Sequence, residues 1–315
     1  MNSHYAMIGM AAVVDDYPLC YEATNEKGFS AAGLNFVGNA VYFPPEEGKD
    51  NITPFECIPW LLGQCASLSE AREKLKNLNF AKIDFSEKLP LSQLHWLVAD
   101  KTGSVVVEST ENALQVCENP VGVLTNNPPF DMQPFNLNNC RVLSDRTPEN
   151  HFAPDIALDR YSNGMGGMGL PGDYSSMSRF VRAAFVKMHS LCGEDEQSSV
   201  SQFFHILASV AYHRGCVLIH EGQYEITQYS CCCNTDKGLY YYTTYENSRV
   251  TCVDMHKTDL DNSTLSRYDL VKDAQFLMQN WICAFEPLAF AGKPRGLYYD
   301  VNERHGIVST AASIK

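Results

Sequence analysis

Apolar residues gather into short runs over the first hundred positions, and polar, turn-forming residues separate these runs. An apolar run at 6–14 is followed by Asn-Glu-Lys-Gly at 25–28 and by a second run at 29–36. Apolar runs that meet at a glycine-containing turn predict a hairpin. A second hairpin is predicted for 93–100 and 104–108, which are joined by Lys-Thr-Gly.

The first helical period lies at 59–78. Apolar side chains recur there every three or four residues, at Trp60, Leu61, Cys65, Leu68, Ala71 and Leu75. Ser67 and Glu70 have the spacing of a capping box. This spacing predicts two short helices with a break near Ser67.

Strands and helices are segregated in the rest of the chain. The predicted elements are a strand at 121–125, an irregular stretch at 131–174, helices at 177–191 and 200–212, and strands at 223–229, 238–245 and 249–254. Segregated strands and helices are typical of a layered α+β fold, whereas a parallel sheet requires alternation. We therefore predict the α+β class.

Composition and charge exclude several kinds of function. Of the 315 residues, 45% are hydrophobic and 19% are charged, and the formal net charge is -13. Nucleic-acid binding requires clustered Lys and Arg, so we expect no nucleic-acid partner. No apolar stretch reaches the length of a membrane span, and the N-terminus lacks a signal-peptide pattern. We expect no membrane partner and a cytoplasmic location.

The cysteines do not form a metal-binding pattern. The chain has twelve, none of them in a CxxC pair. The three consecutive cysteines at 231–233 would point alternately to opposite faces of a strand. We predict reduced thiols, strand packing for 231–233, and no metal site.

Several collinear segments between residues 5 and 267 are specific as a set, although each is a weak signal alone. They read Asp-Asp-Tyr-Pro at 15–18, Asn-Glu-Lys-Gly at 25–28, Ala-Gly-Leu-Asn-Phe at 32–36, Leu-His-Trp at 94–96, Gly-Val-Leu-Thr-Asn at 122–126, Leu-Pro-Gly-Asp at 170–173, Ser-Arg-Phe at 178–180 and Thr-Tyr-Glu-Asn at 244–247. With these segments the chain resembles the choloylglycine hydrolase family, which includes conjugated bile salt hydrolases and penicillin V acylases.

The resemblance implies a fold and an activity. The fold is the N-terminal-nucleophile hydrolase αββα sandwich, with two antiparallel sheets between helix layers. The activity is hydrolysis of a linear amide bond, which releases glycine or taurine from conjugated bile salts and needs no metal or organic cofactor. The resemblance also implies a homo-oligomer, with a tetramer as one form, assembled through the loop at 133–167.

Three residues fall on the family's active-site positions. By resemblance, Asn35 and Asn126 serve the oxyanion pocket, where the loss of one donor typically costs about 10²–10³ in rate. Arg179 matches the arginine near the nucleophile, where a fixed cation favours a thiolate. Taken alone, the asparagines also fit turns and the arginine fits an exposed ion pair. The collinear context favours the site.

The chain departs from the family at both ends. The family's nucleophilic cysteine lies on strands that precede all of the matched segments, whereas this chain starts with Met1 and Asn2, and its earliest cysteine is Cys20. We therefore expect that the first strands and the nucleophilic cysteine are absent, and that the chain as written is truncated and inactive. Residues 1–270 are predicted to form the hydrolase-like domain and 271–315 a divergent tail.

Alternative interpretations remain open. The chain could be a penicillin V acylase-like amidase, or a homologue that binds bile salts without cleaving them. Asparagine at position 35 favours the bile salt branch, since the acylase branch usually has tyrosine there. A dyad of Cys216 and His213 is a further alternative that the spacing does not favour. His95 and His205, each beside apolar residues, are predicted to be packing residues.

Overall fold

The computed structural model of the protein describes residues 4–278. The described chain up to Ala274 belongs to one structural unit. Most of the predicted tail at 271–315 lies outside the described residues, as does Asn2. Among residues 4–278, no helix combines the length and the apolar character needed to cross a membrane.

Six strands within the first 118 residues build one antiparallel sheet. The strands are β1 (Met7–Val14), β2 (Tyr17–Asn25), β3 (Ser30–Asn35), β4 (Asp50–Ile52), β5 (Leu78–Phe80), β6 (Leu94–Asp100), β7 (Gly103–Ser109) and β8 (Leu114–Glu118). The first sheet runs in the order β1-β2-β3-β6-β7-β8, while β4 and β5 form a small parallel pair. The turn predicted at 25–28 joins two antiparallel strands, but its first strand is β2 and not the run at 6–14, which forms β1 and pairs with the other edge of β2. The second predicted hairpin is confirmed, because β6 pairs antiparallel with β7.

A smaller second sheet comes from the last third of the described chain. The strands are β9 (Leu218–His220), β10 (Gln223–Tyr224), β11 (Tyr229–Asn234), β12 (Leu239–Thr244) and β13 (Thr251–Asp254). The second sheet has the antiparallel order β11-β12-β13, and β9 and β10 form a separate pair. The helices are α1 (Cys57–Gln64), α2 (Leu68–Leu75), α3 (Met132–Asn136), α4 (Ser176–His189) and α5 (Glu196–Ala208).

The two sheets face each other between helices. Alternation along β12 sends Tyr240 towards the first sheet, where its hydroxyl donates to Glu22, and Tyr241 towards α5, where its hydroxyl donates to Glu196. Helices α1 and α2 share a buried core with the outer face of the first sheet. Phe180 of α4 packs into a second core with Val106 of β7. This layering is the predicted α+β arrangement.

The first hairpin is attached to α1 by a buried asparagine. The Nδ2 atom of Asn25 donates to the carbonyl oxygens of Leu62 and Cys65, each at 2.8 Å. Its Oδ1 accepts from the backbone amide of Phe29 at 3.1 Å, which closes the turn. Gly28 in that turn has φ +80°, in the left-handed region that favours glycine. A turn motif at 25–28 therefore fixes both a hairpin and a helix.

The predicted helix break at Ser67 is confirmed. Helix α1 ends at Gln64 and α2 begins at Leu68. The Ser67 side chain accepts from the backbone amide of Glu70 at 3.3 Å, which satisfies one of the free amides at the start of α2.

Several element predictions were wrong. Residues 121–125 do not form a strand. The apolar Val121 packs in a core with Phe180 of α4 and does not take part in a sheet. The strand predicted at 223–229 is divided between β10 and the first residue of β11. The cysteines at 231–233 lie within β11, in agreement with the predicted strand packing. Helix α5 begins at Glu196, since Asp195 caps it, and it ends before Tyr212. His205 is exposed on α5 and not packed.

Candidate active site

Asn126 lies on a loop that folds back onto the end of β3. Its Nδ2 atom donates to the carbonyl oxygen of Asn35 at 2.9 Å. The neighbouring Asn127 donates to the carbonyl oxygen of Val37 at 2.6 Å, and the Asn127–Pro128 peptide is cis. Two consecutive asparagines thus fasten this loop to the residues that follow the first hairpin. Asn35 itself is exposed at the end of β3.

Gln133 of α3 binds the main chain of this loop from the buried side. Its side chain is entirely buried, and its Nε2 atom donates to the carbonyl oxygens of Asn126 at 2.8 Å and Pro128 at 3.1 Å. Its Oε1 accepts from the hydroxyl of Thr125 at 3.0 Å. All the hydrogen-bonding atoms of the Gln133 amide group therefore have a partner, which fixes the backbone on both sides of Asn126.

A buried pair, His95 and Glu108, lies beneath the loop that carries Asn126. Both side chains are fully buried, and His95 Nδ1 lies 2.9 Å from an oxygen of Glu108. His95 Nε2 lies 2.8 Å from the carbonyl oxygen of Thr125. Because a carbonyl oxygen can only accept, Nε2 is the donor in this contact. The backbone amide of Phe130 also donates to Glu108, so the pair supports the loop at two points.

Arg179 approaches Asn126 from the first turn of α4. Its Nη2 atom donates to Asn126 Oδ1 at 2.7 Å, and its Nε atom donates to the carbonyl oxygen of Tyr174 at 3.1 Å. Its guanidinium carbon lies 4.9 Å from the centre of the Tyr212 ring. Removal from water lowers the pKa of Arg179 below its ordinary value, although Tyr212 and Glu225 oppose this shift. The site therefore holds a half-buried cation in one orientation.

The structure brings the three residues predicted from the sequence together. Asn126 is the link, because it donates to Asn35 and accepts from Arg179. Sequence reasoning missed Glu108 and Gln133. An acid inside the apolar run of β7 was a usable signal for Glu108. Gln133 gave no signal, since its position depends on how α3 packs.

The two residues of the alternative dyad, Cys216 and His213, both lie next to the hydroxyl of Tyr174. His213 Nδ1 bonds the hydroxyl of Tyr174 at 3.1 Å. The hydroxyl of Tyr174 also interacts with the thiol of Cys216, which raises the pKa of Tyr174. The phenol of Tyr174 therefore contacts both the imidazole and the thiol. His95, by contrast, is a buried packing histidine, as predicted, stacked on Phe36 at 4.4 Å.

Other surface features lie away from these three residues. Two grooves, of about 460 Å³ beside α5 and about 910 Å³ beside α2, have neither Asn35, Asn126 nor Arg179 in their walls. Within the described part of the chain, no group of three or more His, Cys, Asp and Glu side chains could hold a metal ion.

Residues 1–268 match the family model of the linear amide C–N hydrolases, choloylglycine hydrolase family. The chain belongs to the choloylglycine hydrolase family. The family model describes hydrolases of linear amide C–N bonds.

Individual members of the choloylglycine hydrolase family resemble this chain closely. It is 55% identical to a bile salt hydrolase/transferase from Lactiplantibacillus plantarum over 89% of this chain and 86% of that one. A crystal structure of a variant of the conjugated bile acid hydrolase from Clostridium perfringens superposes with a TM-score of 0.81 and 39% identity, covering 87% of this chain and 84% of that one.

A more distant structure shares the fold. The penicillin V acylase from Agrobacterium tumefaciens matches with a TM-score of 0.60 and 20% identity, over 78% of this chain and 69% of that one. At this identity the match supports the αββα layering alone. The N-terminal-nucleophile hydrolase fold inferred from the sequence is therefore confirmed.

Proposed function

We propose that this chain is a choloylglycine hydrolase-type amidase whose substrates are conjugated bile salts. The observation that carries the proposal is the hydrogen-bonded series from Asn35 through Asn126 to Arg179. The 55% identity to a bile salt hydrolase/transferase supports the substrate class. Asparagine at position 35, which resembles the bile salt branch, supports it as well.

Each of the three residues has hydrogen-bond donors to spare. The Asn126 amide has two N–H groups, of which one is used by the carbonyl of Asn35. The Asn35 side-chain amide is exposed at the end of β3. Arg179 has five N–H donors, of which two are used by Asn126 and Tyr174. In the proposed mechanism, the asparagine donors stabilise the oxyanion and Arg179 stabilises the attacking thiolate.

The reaction that these donors would serve is a thiol-mediated hydrolysis. A cysteine thiolate attacks the amide carbonyl, and the tetrahedral intermediate expels the amine, which takes up a proton. Water then cleaves the thioester and regenerates the thiol. No cysteine takes part in the hydrogen bonds of Asn35, Asn126 or Arg179 in residues 4–278. We also propose that the polypeptide of residues 1–315 does not by itself hydrolyse conjugated bile salts; a homologue that binds them without cleavage is the alternative.

Calorimetric titration of the 1–315 polypeptide with glycocholate, taurocholate and penicillin V tests the substrate class. Binding of either bile salt that Asn126→Ala and Arg179→Gln weaken would support the proposal. Binding of penicillin V alone would favour the acylase alternative, and binding of none of them would overturn the substrate assignment. Chromatography of the same mixtures for released glycine or taurine tests turnover. Sustained release would overturn the proposed inactivity.

We also propose a homo-oligomer, with a tetramer as one form. The segment at 133–167 carries large apolar side chains exposed to water, among them Phe135 at 74%, Val142 at 84% and Phe152 at 85% exposure. Exposed apolar clusters of this kind are typical of protein–protein contacts. Light scattering of the wild-type chain and of a Phe135→Ser, Phe152→Ser variant would test this. A monomer in both would contradict it.

A cytoplasmic location completes the proposal. All eleven cysteines in the described part of the chain are free thiols. Unpaired thiols in this number suit a reducing compartment, because oxidising compartments favour disulfides.

A further inference from the structure

Arg179 forms one end of a row of stacked side chains. Its guanidinium carbon lies 4.9 Å from the centre of the Tyr212 ring. The Tyr212 ring in turn stacks on the ring of Tyr174, with centres 5.6 Å apart and planes 20° apart. The two aromatic residues come from segments 38 positions apart, one before α4 and one after α5. Their meeting beside the candidate site therefore results from tertiary structure.

One carbonyl oxygen joins the members of this row. The backbone oxygen of Tyr174 accepts from Arg179 Nε at 3.1 Å and from the Tyr212 hydroxyl at 3.1 Å. Tyr212 therefore contacts Arg179 through its ring face, and its hydroxyl interacts both with the guanidinium and with the carbonyl oxygen that the guanidinium binds. Both contacts restrict the rotation of the guanidinium group.

The segment that carries Tyr212 is itself anchored. The backbone amide of Tyr212 donates to the hydroxyl of Thr227 at 2.8 Å, and the amide of Thr227 donates back to the carbonyl of Tyr212 at 3.2 Å. Arg182, one turn after Arg179 on α4, donates to the carbonyl of Ser209 at 2.6 Å and to that of Pro171 at 2.7 Å. It thereby ties the segments leading to both tyrosines to the helix that carries Arg179.

The free donors of Arg179 depend on this arrangement. The guanidinium is planar, so fixing the Nε and Nη2 hydrogens fixes the direction of the others. A cation over a ring face is held more strongly when it is half-buried than when it is fully solvated. Asn126 holds one edge of the group and Tyr212 holds its face.

We propose that Tyr212 is a positioning residue of the site, which acts through Arg179 by holding the guanidinium plane against Asn126. The proposal depends on the proposed function only in assuming that the oriented Arg179 acts on the reaction. The ring face supplies most of the effect, and the hydroxyl supplies the remainder through the guanidinium itself and through the Tyr174 carbonyl. Tyr212 does not itself touch the reacting atoms.

Two substitutions separate the ring from the hydroxyl. Tyr212→Phe keeps the ring face under Arg179 and removes the contacts of the hydroxyl with Tyr174 and with the guanidinium, whereas Tyr212→Leu removes the ring face as well. Tyr245→Leu is the matched control, because Arg214 lies over the Tyr245 ring at 4.8 Å, nearly the same distance, without contacting Asn126 or Arg179. Unchanged melting temperatures would show that each variant keeps the fold.

The first measurement needs no ligand. A ring face displaces the NMR signal of an overlying Nε–H group, so the Arg179 signal of the wild type is expected upfield of those of exposed arginines. Tyr212→Phe should retain this displacement and Tyr212→Leu should lose it, while Tyr245→Leu should leave it in place. An Arg179 signal that is unchanged in Tyr212→Leu would overturn the proposal, whatever the chain binds.

The second measurement is a double-mutant cycle on glycocholate affinity. Loss of a cation–ring contact is expected to weaken binding by roughly two- to thirtyfold in Tyr212→Leu, with most of the affinity retained in Tyr212→Phe. In an Arg179→Gln background, Tyr212→Leu should cause no further loss, because its action passes through the arginine. Equal losses in both backgrounds would refute positioning. If glycocholate does not bind at all, the substrate assignment fails, and the NMR measurement still decides the role of Tyr212.

Discussion

The two sides of the candidate site are held in different ways. Asn126 rests on His95, Glu108 and Gln133, which have 0% exposure and bond one another or the loop. Arg179 lies over the half-buried ring of Tyr212, which stacks on the half-buried ring of Tyr174. Loss of a contact on the asparagine side should therefore destabilise the buried core, whereas loss of a contact on the arginine side should leave the core intact. Substitutions on the two sides should differ accordingly, with global effects on one and local effects on the other.

Glu108→Ala should have the largest effect, because it leaves His95 and the Phe130 amide without their buried partner. Breaking a buried pair by removing one member typically costs about 3–5 kcal/mol in the free energy of unfolding. Urea unfolding measures this loss. The control is Glu118→Ala, which removes an ion pair to Arg72 at the surface and should cost less than about 1 kcal/mol. Equal losses in the two variants would show that the pair under Asn126 gives no special support.

The buried carboxyl of Glu22, between the two sheets, should make the stability of the core depend on pH. Desolvation raises the pKa of Glu22 above its ordinary value, although hydrogen bonds from Tyr240 and the Met10 amide oppose the shift. The folded protein thus favours the neutral form, so this contribution to stability is complete below the unfolded pKa and is lost as pH rises through the folded value. Each unit of difference corresponds to about 1.4 kcal/mol.

Glu22→Gln should therefore gain stability relative to the wild type between pH 5 and pH 8, as measured by urea unfolding at both values. Glu246→Gln, which alters an exposed ion pair to Arg214, is the control and should show no comparable gain. A wild-type protein whose stability does not fall over this range relative to Glu22→Gln would contradict the raised pKa.

The sequence predicted the parts of this site that depend on local pattern. Turn residues gave the hairpin that ends at Asn35, and helical spacing gave the helix that carries Arg179. The supports of these residues depend on packing between distant segments. Tyr212 was predicted to lie inside a helix, but α5 ends at Ala208, and this earlier end places Tyr212 in the segment that reaches Arg179. No periodicity reports such an encounter.

The two histidines show the same limit. His95 and His205 both lie beside aromatic residues, and both were predicted to be packed. His95 is buried because β6 is an inner strand of the first sheet, covered on both faces. His205 is exposed because α5 forms an outer layer over a sheet of only three strands. Burial therefore follows from the position of an element in the layers, which a single sequence does not display.

Asp173→Asn should have the smallest effect, confined to the arginine side. Hydrogen bonds from Ser175 and Ser178 at the start of α4 lower the pKa of Asp173 to about 2. A lowered folded pKa means that the contribution to stability is present above the unfolded value and is lost as pH falls through about 2. The variant should therefore melt slightly below the wild type at pH 7, with the difference shrinking towards pH 2.

Asp195→Asn is the matched control, since Asp195 bonds Ser198 at the start of α5 in the same manner and its pKa is also lowered. The two variants should lose similar small amounts of thermal stability, but only Asp173→Asn should alter the Arg179 Nε–H signal, because only α4 carries the arginine. An Arg179 signal that is unchanged in both would mean that the aromatic row holds the guanidinium without help from the helix start. A change in both would mean that α4 and α5 move together. Substitutions on the arginine side would then have wider effects than the exposure of that side indicates.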